Sequence, residues 1–190
     1  LEKEYDEIVK LIASAQQPDG YLNTFFTAVK PEERWANLFD CHELYCAGHM
    51  IEAGVAAYEL LGKTELLNVV CKYADYIDSV FGEEEGKRRG VPGHEEIELA
   101  LIKLSQATGN KLYAEMAKKF IDVRGVTSCP EGSGVMSPSY AQQHQPVREQ
   151  RTAEGHSVRA LYLYSGMADV VAELGDTTLN PALEAIWHDI

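Results

Sequence analysis

The sequence lacks a basic face and any long apolar run. Lysine and arginine number 17, against 30 aspartates and glutamates, and the formal net charge is −13. Such a chain cannot displace counterions from a nucleic-acid backbone or bind anionic lipid headgroups. No apolar stretch approaches the ~20 residues that cross a bilayer. We therefore predict no nucleic-acid or membrane partner. A neutral or cationic ligand and a homodimer are both compatible with this composition.

Cysteine is also scarce. Cys41, Cys46, Cys71 and Cys129 form no CxxC pair and lack the spacing of a disulfide scaffold. We expect buried free thiols, which favours a cytoplasmic location over a secreted one without settling it. A nucleophile elbow, a P-loop and a dinucleotide fingerprint are missing as well. No pair of carboxylates stands out as general acid and general base. The sequence therefore does not show which residues would carry out catalysis.

Hydrophobic periodicity of about 3.6 residues predicts an all-α chain. We expect helices over residues 1–15, 42–61, 64–82, 94–108, 110–123, 156–174 and from 177 onward. Three pairs of helices are divided by a glycine, at Gly62, Gly109 and Gly175. The chain starts without Met and stops within a predicted helix. We therefore expect residues 1–190 to be part of a single larger domain, truncated at both ends.

Paired helices of this kind bury their apolar faces only by stacking on one another. The pairs begin 52 and 62 residues apart, which leaves long loops at one end of the array. Long loops at one end are typical of a toroid with a funnel-shaped site. Small residues in the helix after His42, such as Ala47, Gly48 and Gly54, suit a tight inner ring. The predicted fold is an α/α toroid of helical hairpins, present as an incomplete barrel.

Three histidines occupy equivalent positions. His42, His94 and His156 are each predicted to open the first helix of a hairpin. Parallel first helices would aim all three side chains into one mouth. A helix N-terminus disfavours imidazolium, and a neutral imidazole donates one hydrogen bond and accepts another. Sugar hydroxyls do the same, so these three residues are the predicted substrate-binding set. The alternative is that each is only a polar residue at a helix end.

Other candidates are weaker. His42, Cys46 and His49 share a helix face at metal-ligand spacing, although Cys46 and His49 lie among apolar residues. Glu95, Glu96 and Glu98 would complement the dipole of a helix N-terminus, or one of them could hold a hydroxyl.

Two loops could contribute further contacts to a sugar. Residues 142–145 supply three amide side chains and His144, and amides are usual ligands of polyols. The long loop at residues 16–40 supplies Tyr21, Phe25, Phe26 and Trp35, which could stack on a sugar or fix the loop to the core.

Five ordered motifs resemble glycoside hydrolase family 127, the β-L-arabinofuranosidases. They are QPDGYL from Gln17, HELYCAGH from His42, GHEEIELAL from Gly93, PVREQ from Pro146 and GHSVRA from Gly155. The resemblance implies an (α/α)6 barrel of which this chain is the N-terminal half. It also implies retaining hydrolysis of terminal β-L-arabinofuranosides on plant-type glycans or glycopeptides.

In that family a zinc-bound cysteine is the nucleophile and a glutamate is the acid/base, with zinc held by a glutamate and cysteines. All of these lie C-terminal to the matched part, so the resemblance gives this chain no catalytic residue and no zinc ligand. It does assign sugar binding to His42, His94 and His156. We expect the isolated chain to be inactive. The segment from Val126 to Tyr140 looks shorter than is usual in the family.

Two other functions stay open. The toroid could be a hydrolase or lyase acting on another sugar, such as an anionic uronide. That substrate would need an arginine in the pocket, and Arg148, Arg151 and Arg159 are the candidates. A non-catalytic helical-repeat interaction module is the other alternative, and it would show a contiguous apolar groove rather than a polar pocket.

Overall fold

The computed structural model describes residues 2–126 and 137–190. It is all-helical, and the only β-type pairing in this part of the chain is one bridge between Phe81 and Arg88. The α-helices are α1 (Glu2–Ala15), α2 (Thr24–Ala28), α3 (Glu43–Leu61), α4 (Glu65–Val80), α5 (Ile97–Thr108), α6 (Lys111–Val123), α7 (Ser157–Leu174) and α8 (Asn180–Asp189). The predicted all-α class is confirmed.

Three hairpins form two layers. Helix α5 packs between α3 and α7, and these three helices form the inner layer. On the outside α4 packs on α3, α6 packs on α5 and α7, and α8 packs on α7. Each inner helix ends at a glycine in the left-handed conformation, at Gly62, Gly109 and Gly175. The predicted division of the hairpins by these glycines is therefore correct.

One helix start differs by several residues from the prediction. Thr64 and Asn110 immediately precede α4 and α6, in agreement with the predicted starts at residues 64 and 110, and Asn110 accepts a hydrogen bond from the amide of Leu112. Helix α5 begins at Ile97, three residues after His94. Residues 93–96 lie outside the helix, and Glu95 and Glu96 among them are buried. Hydrophobic periodicity alone does not predict such burial of charged residues.

The long early loop has structure of its own. It contains α2 and a 3₁₀ turn at Pro31–Glu33. Tyr21, Phe26 and Trp35 are buried in the core, and Phe25 is exposed. Tyr21 donates a short hydrogen bond to Glu43, whose other oxygen accepts the amide of Trp35 at 2.9 Å. Three of the four predicted loop aromatics therefore fix the loop to the core and are not free to stack on a ligand.

Candidate functional site

The three predicted histidines lie side by side at the N-terminal end of the inner layer. His42 and His156 immediately precede α3 and α7, and His94 lies between them. The ring centroids of His42 and His94 are 5.9 Å apart, and those of His94 and His156 are 6.4 Å apart. Three rings from three hairpins are thus close enough for one small ligand to touch all of them.

Close helix contact places His94 in the middle of this row. A Cβ added at Gly48 of α3 would lie 2.8 Å from Glu96 Cγ and 3.1 Å from the backbone of Ile97. A Cβ added at Gly166 of α7 would lie 3.1 Å from Glu98 Cβ. Glycine on both neighbouring helices therefore lets the start of α5 sit between them, as the small residues of α3 predicted.

Hydrogen bonds fix how each ring presents itself. His42 Nδ1 lies 2.7 Å from the carbonyl of Asp40, and His94 Nδ1 lies 2.8 Å from the carbonyl of Glu95. A carbonyl can only accept, so both Nδ1 atoms carry the proton and both Nε2 atoms are free acceptors. His156 Nδ1 instead accepts from the backbone amide of Arg159 at 3.5 Å, which leaves an Nε2–H donor. The row offers two acceptors and one donor.

The central ring is held neutral. Burial lowers the pKa of His94, and the nearby positive charge of Arg159 lowers it further. A neutral ring keeps its Nε2 lone pair available at neutral pH. The site is therefore suited to hydroxyl groups, which donate to and accept from neutral imidazoles.

Three tyrosines extend the row, and sequence reasoning missed them. The Tyr45 ring lies 4.2 Å from that of His94, Tyr162 lies 5.8 Å from His94, and Tyr140 lies 5.2 Å from His156. Tyr45 is one turn after His42, and Tyr162 follows His156 by six residues. Tracing the inner face of each first helix from its histidine would have identified the first two.

The amide-rich loop supports His156 instead of lining the pocket. The Gln142 amide donates to the carbonyl of Glu154 at 2.8 Å, and that of Gln150 donates to the carbonyl of Gln142 at 2.9 Å. Both side chains are fully buried. Gly155 has a φ of +80°, and a Cβ there would collide with the Ser139 carbonyl. The donor of Gln142 is used within the loop, so Gln142 is not a sugar ligand, whereas Gln143 is buried with its amide nitrogen and oxygen unpaired.

The three glutamates near α5 are buried and do not merely complement a helix dipole. Arg124 is fully buried and places its two terminal nitrogens 2.8 Å from Glu95 and 3.0 Å from Glu98. Burial raises the pKa of Glu95 to about 8. Glu96 points the other way, toward α3. Two of these carboxylates therefore anchor the turn that carries His94.

Two of the three candidate arginines are engaged away from the histidine row. Arg148 bonds Asp122 and Asp176 on the outer layer, and Arg151 is exposed. Arg159 is buried beside the row, donates to the Gly93 carbonyl and lies 4.9 Å from the Tyr140 ring. Of the candidate arginines, Arg159 is therefore the one placed to act on a charged sugar.

The suggested metal helix is not assembled. Among the described residues, one group of side chains has ligand atoms within metal-binding distance, and it consists of His49, Glu52 and Glu96 without His42 or Cys46. Cys41, Cys46 and Cys71 are free, with Cys46 exposed rather than buried, and Cys129 lies outside the described residues. A zinc site built on cysteines does not fit the described part of this chain.

Comparison with known proteins gives one consistent match. The family profile "Beta-L-arabinofuranosidase, GH127 catalytic domain" matches residues 1–190. A non-reducing end β-L-arabinofuranosidase from Bifidobacterium longum subsp. longum is 42% identical over 205 residues, covering 97% of this chain and 31% of that protein.

Solved structures agree. A GH127 β-L-arabinofuranosidase from Geobacillus stearothermophilus T6 superposes with a TM-score of 0.95 at 47% identity, covering 99% of this chain and 32% of its own. A second GH127 β-arabinofuranosidase gives a TM-score of 0.90 at 43% identity, covering 99% and 30%. The predicted incomplete helical toroid is confirmed, and the chain spans about a third of the length of these relatives.

Proposed function

The chain belongs to glycoside hydrolase family 127, and on that premise we propose that it binds the sugar in an enzyme that removes terminal β-L-arabinofuranosyl residues. The observation that carries the proposal is the convergence of His42, His94 and His156 with two acceptors and one donor. A furanose presents several hydroxyls within a few ångströms, each able to donate and accept. Three imidazoles that present two acceptors and one donor match that pattern without requiring charge on the sugar.

Ring faces complement these polar contacts. Tyr45 and Tyr162 lie next to His94 on the inner faces of α3 and α7. Aromatic side chains offer an apolar surface to the C–H face of a sugar while a hydroxyl reaches water or a polar group. We propose that hydroxyls bind to the histidine row while the ring face of the pentose contacts the tyrosines.

The reaction belongs to the same proposal. We propose retention of anomeric configuration and substrates of plant-type glycans or glycopeptides, as the family resemblance implies. The nucleophile, the acid/base and the zinc are proposed to lie outside this chain. The part played by the described residues is to orient the non-reducing terminal sugar so that its anomeric carbon is held in one position.

Removing the central ring tests the proposal. In the protein that carries this chain, His94→Ala should lower kcat/KM for a p-nitrophenyl β-L-arabinofuranoside by about 100-fold, because one hydrogen bond and the orientation it gives are lost. His188→Ala, at an exposed position on α8, is the matched control and should leave kcat/KM unchanged.

Two further results would bear on the chemistry. The first anomer released should be β, as seen by proton NMR, if the enzyme retains configuration. Full activity of His94→Ala, or release of other sugars in place of arabinose, would contradict the proposal.

A further inference from the structure

A cluster of ionisable side chains lies below the histidine row and begins about two helical turns after His42 on α3. This carboxyl cluster consists of His49 and Glu52 on α3, Glu96 just before α5, and Lys103 on α5. His49 Nδ1 is 3.2 Å from Glu96 Oε1 and 3.6 Å from Glu52 Oε2. The Lys103 ammonium contacts the other oxygen of Glu52. The cluster therefore ties the start of α5 to the inner face of α3.

The cluster is in direct contact with the sugar pocket. The Tyr45 ring packs edge-on against His49, with centroids 4.5 Å apart, and its other neighbour is His94 at 4.2 Å. Glu96 follows His94 by two residues. A shift of the Glu96 side chain would therefore move His94 through the backbone and Tyr45 through the His49 ring.

Charge balance indicates what holds the cluster together. Glu52 and Glu96 each place a carboxylate oxygen within 4.8 Å of the other, and two ionised carboxylates this close repel, which a proton on one of them relieves. Lys103 compensates the partly exposed Glu52, whereas Glu96 is fully buried and neither of its oxygens has a hydrogen-bond partner among the described residues. A proton on Glu96 makes the cluster neutral. A divalent ion bound by both carboxylates would leave a surplus positive charge beside Lys103.

We propose that Glu96 is a positioning residue of the sugar pocket, whose protonated side chain bridges α3 and α5 and holds His94 and Tyr45 in place. This inference rests on the function proposed above. Burial and the neighbouring Glu52 raise the pKa of Glu96 to about 9, which keeps the bridge intact at neutral pH. Above that pH the new charge would repel Glu52 and weaken the bridge.

Several other charged or titratable groups lie around Glu96 and the neighbouring Lys103. They are His49 and Glu52 from α3, Glu98 and Lys103 from α5, and Tyr162 and Asp169 from α7. A loss of binding at high pH could come from any of the basic or phenolic members. The assignment to Glu96 therefore needs a variant that keeps the shape of its side chain but cannot ionise.

L-arabinose binding at pH 7 and pH 10, measured by calorimetry in the protein that carries this chain, provides that test. Glu96→Gln should bind within about threefold of the wild type at pH 7, and it should lack the weakening that the wild type shows at pH 10. Glu96→Leu, which has no hydrogen-bonding group, should bind about tenfold more weakly at both pH values, which corresponds to about 1.4 kcal/mol. Glu59→Gln, at an exposed position of α3, is the control and should follow the wild type.

A second readout does not depend on sugar. The imidazole Cε1–H chemical shift of His94 should be unchanged in Glu96→Gln and displaced in Glu96→Leu, with helix content checked by circular dichroism. If the wild-type protein fails to bind arabinose, the proposed function is wrong. The His94 chemical shift still tests the positioning role of Glu96 in that case. An alkaline loss that persists in Glu96→Gln, an unmoved shift in Glu96→Leu, or a stoichiometric metal lost in Glu96→Gln would each overturn the inference.

Discussion

Arg124 shows how one residue connects an outer helix to the site. Its guanidinium lies at the end of α6, fully buried, and also donates to the carbonyls of Ala141 and Pro92 at 2.9 and 3.0 Å. With Glu95 and Glu98 it joins the turn before α5 to the loop before α7. These are the two segments that carry His94 and His156, so one cation fixes the spacing between the two rings.

Replacing Arg124 should therefore destabilise the fold strongly. Arg124→Met leaves Glu98 and the carbonyls of Ala141 and Pro92 buried without their partner, and breaking a buried pair in this way costs about 3–5 kcal/mol of unfolding free energy. Urea denaturation measures this loss. Arg151→Met, at an exposed arginine, should change the unfolding free energy by less than about 0.5 kcal/mol.

A double variant distinguishes an unpaired charge from lost packing. Adding Glu98→Met to Arg124→Met removes the stranded carboxylate, so part of the stability should return. If the double variant is less stable than the single one, packing of the arginine stem outweighs its charge, and the account of Arg124 as an electrostatic anchor is wrong.

At the scale of single residues, the sequence identifies candidate side chains better than it predicts which residues they contact. The histidine row was found because one residue type recurs at three equivalent positions. Glu95, Glu96 and Glu98 were interpreted as complements to a helix dipole or as a sugar ligand, because the buried arginine that binds two of them lies 26 residues after Glu98. Contacts at that separation follow from the packing of hairpins, which no local pattern encodes.

Two glycines of α3 determine how closely this inner helix packs against its neighbours. Gly48 faces the start of α5, whereas Gly54, less than two turns further along α3, faces Val70 of α4, with an added Cβ 2.8 Å from a Val70 methyl. One glycine therefore controls the contact beneath the pocket, and the other controls the contact with the outer layer.

Gly48→Ala and Gly54→Ala should separate the two contacts. Each alanine overpacks a tight interface, and overpacking costs about 1–3 kcal/mol of stability. Gly48→Ala should also weaken L-arabinose binding, because its Cβ meets the backbone of Ile97 and pushes His94 out of the row. Gly54→Ala should leave binding unchanged. Thermal unfolding and calorimetry measure the two effects, and equal binding by both variants would disprove the separation.

Helix boundaries were predictable where the chain itself ends the helix. The left-handed glycines at Gly62, Gly109 and Gly175 end their helices in the predicted places. The start of α5 was predicted three residues early, since His94, Glu95 and Glu96 resemble the polar first turn of a helix, while Glu95 and Glu96 are buried in tertiary contacts outside it. Ends set by local conformation are visible in a sequence, and ends set by packing are not.

At the scale of the whole molecule, the repeated hairpins in the sequence predict the architecture. Hairpins that are too apolar to stand alone must stack, and stacking in register brings equivalent histidines together. The tyrosines and the carboxyl cluster could not be predicted as a set, because their members come from different helices at unrelated spacings. No helix in the described part of the chain is long and apolar enough to cross a membrane, as the composition indicated.

The outer surface of the stack is joined by a charged network that should make the whole fold sensitive to acid. Asp176, in the turn after α7, lies 2.8 Å from Arg148 and 3.3 Å from Lys118 of α6. Burial raises the pKa of Asp176, but hydrogen bonds from Thr178, Arg148 and Lys118 outweigh it and lower the pKa to about 2. One carboxylate therefore links α6, the loop before α7 and the turn after it.

A folded pKa below the unfolded value means that the ionised form favours folding. This contribution is complete above about pH 4, the unfolded pKa of an aspartate, and is lost as the pH falls toward 2. Asp176→Asn should lower the unfolding free energy by about 1 kcal/mol at pH 7, after allowance for solvent screening, and by almost nothing near pH 2. Glu85→Gln, at an exposed turn position, should leave the pH profile unchanged. A deficit for Asp176→Asn that is as large at pH 2 as at pH 7 would show that its carboxylate charge does not hold the hairpins together.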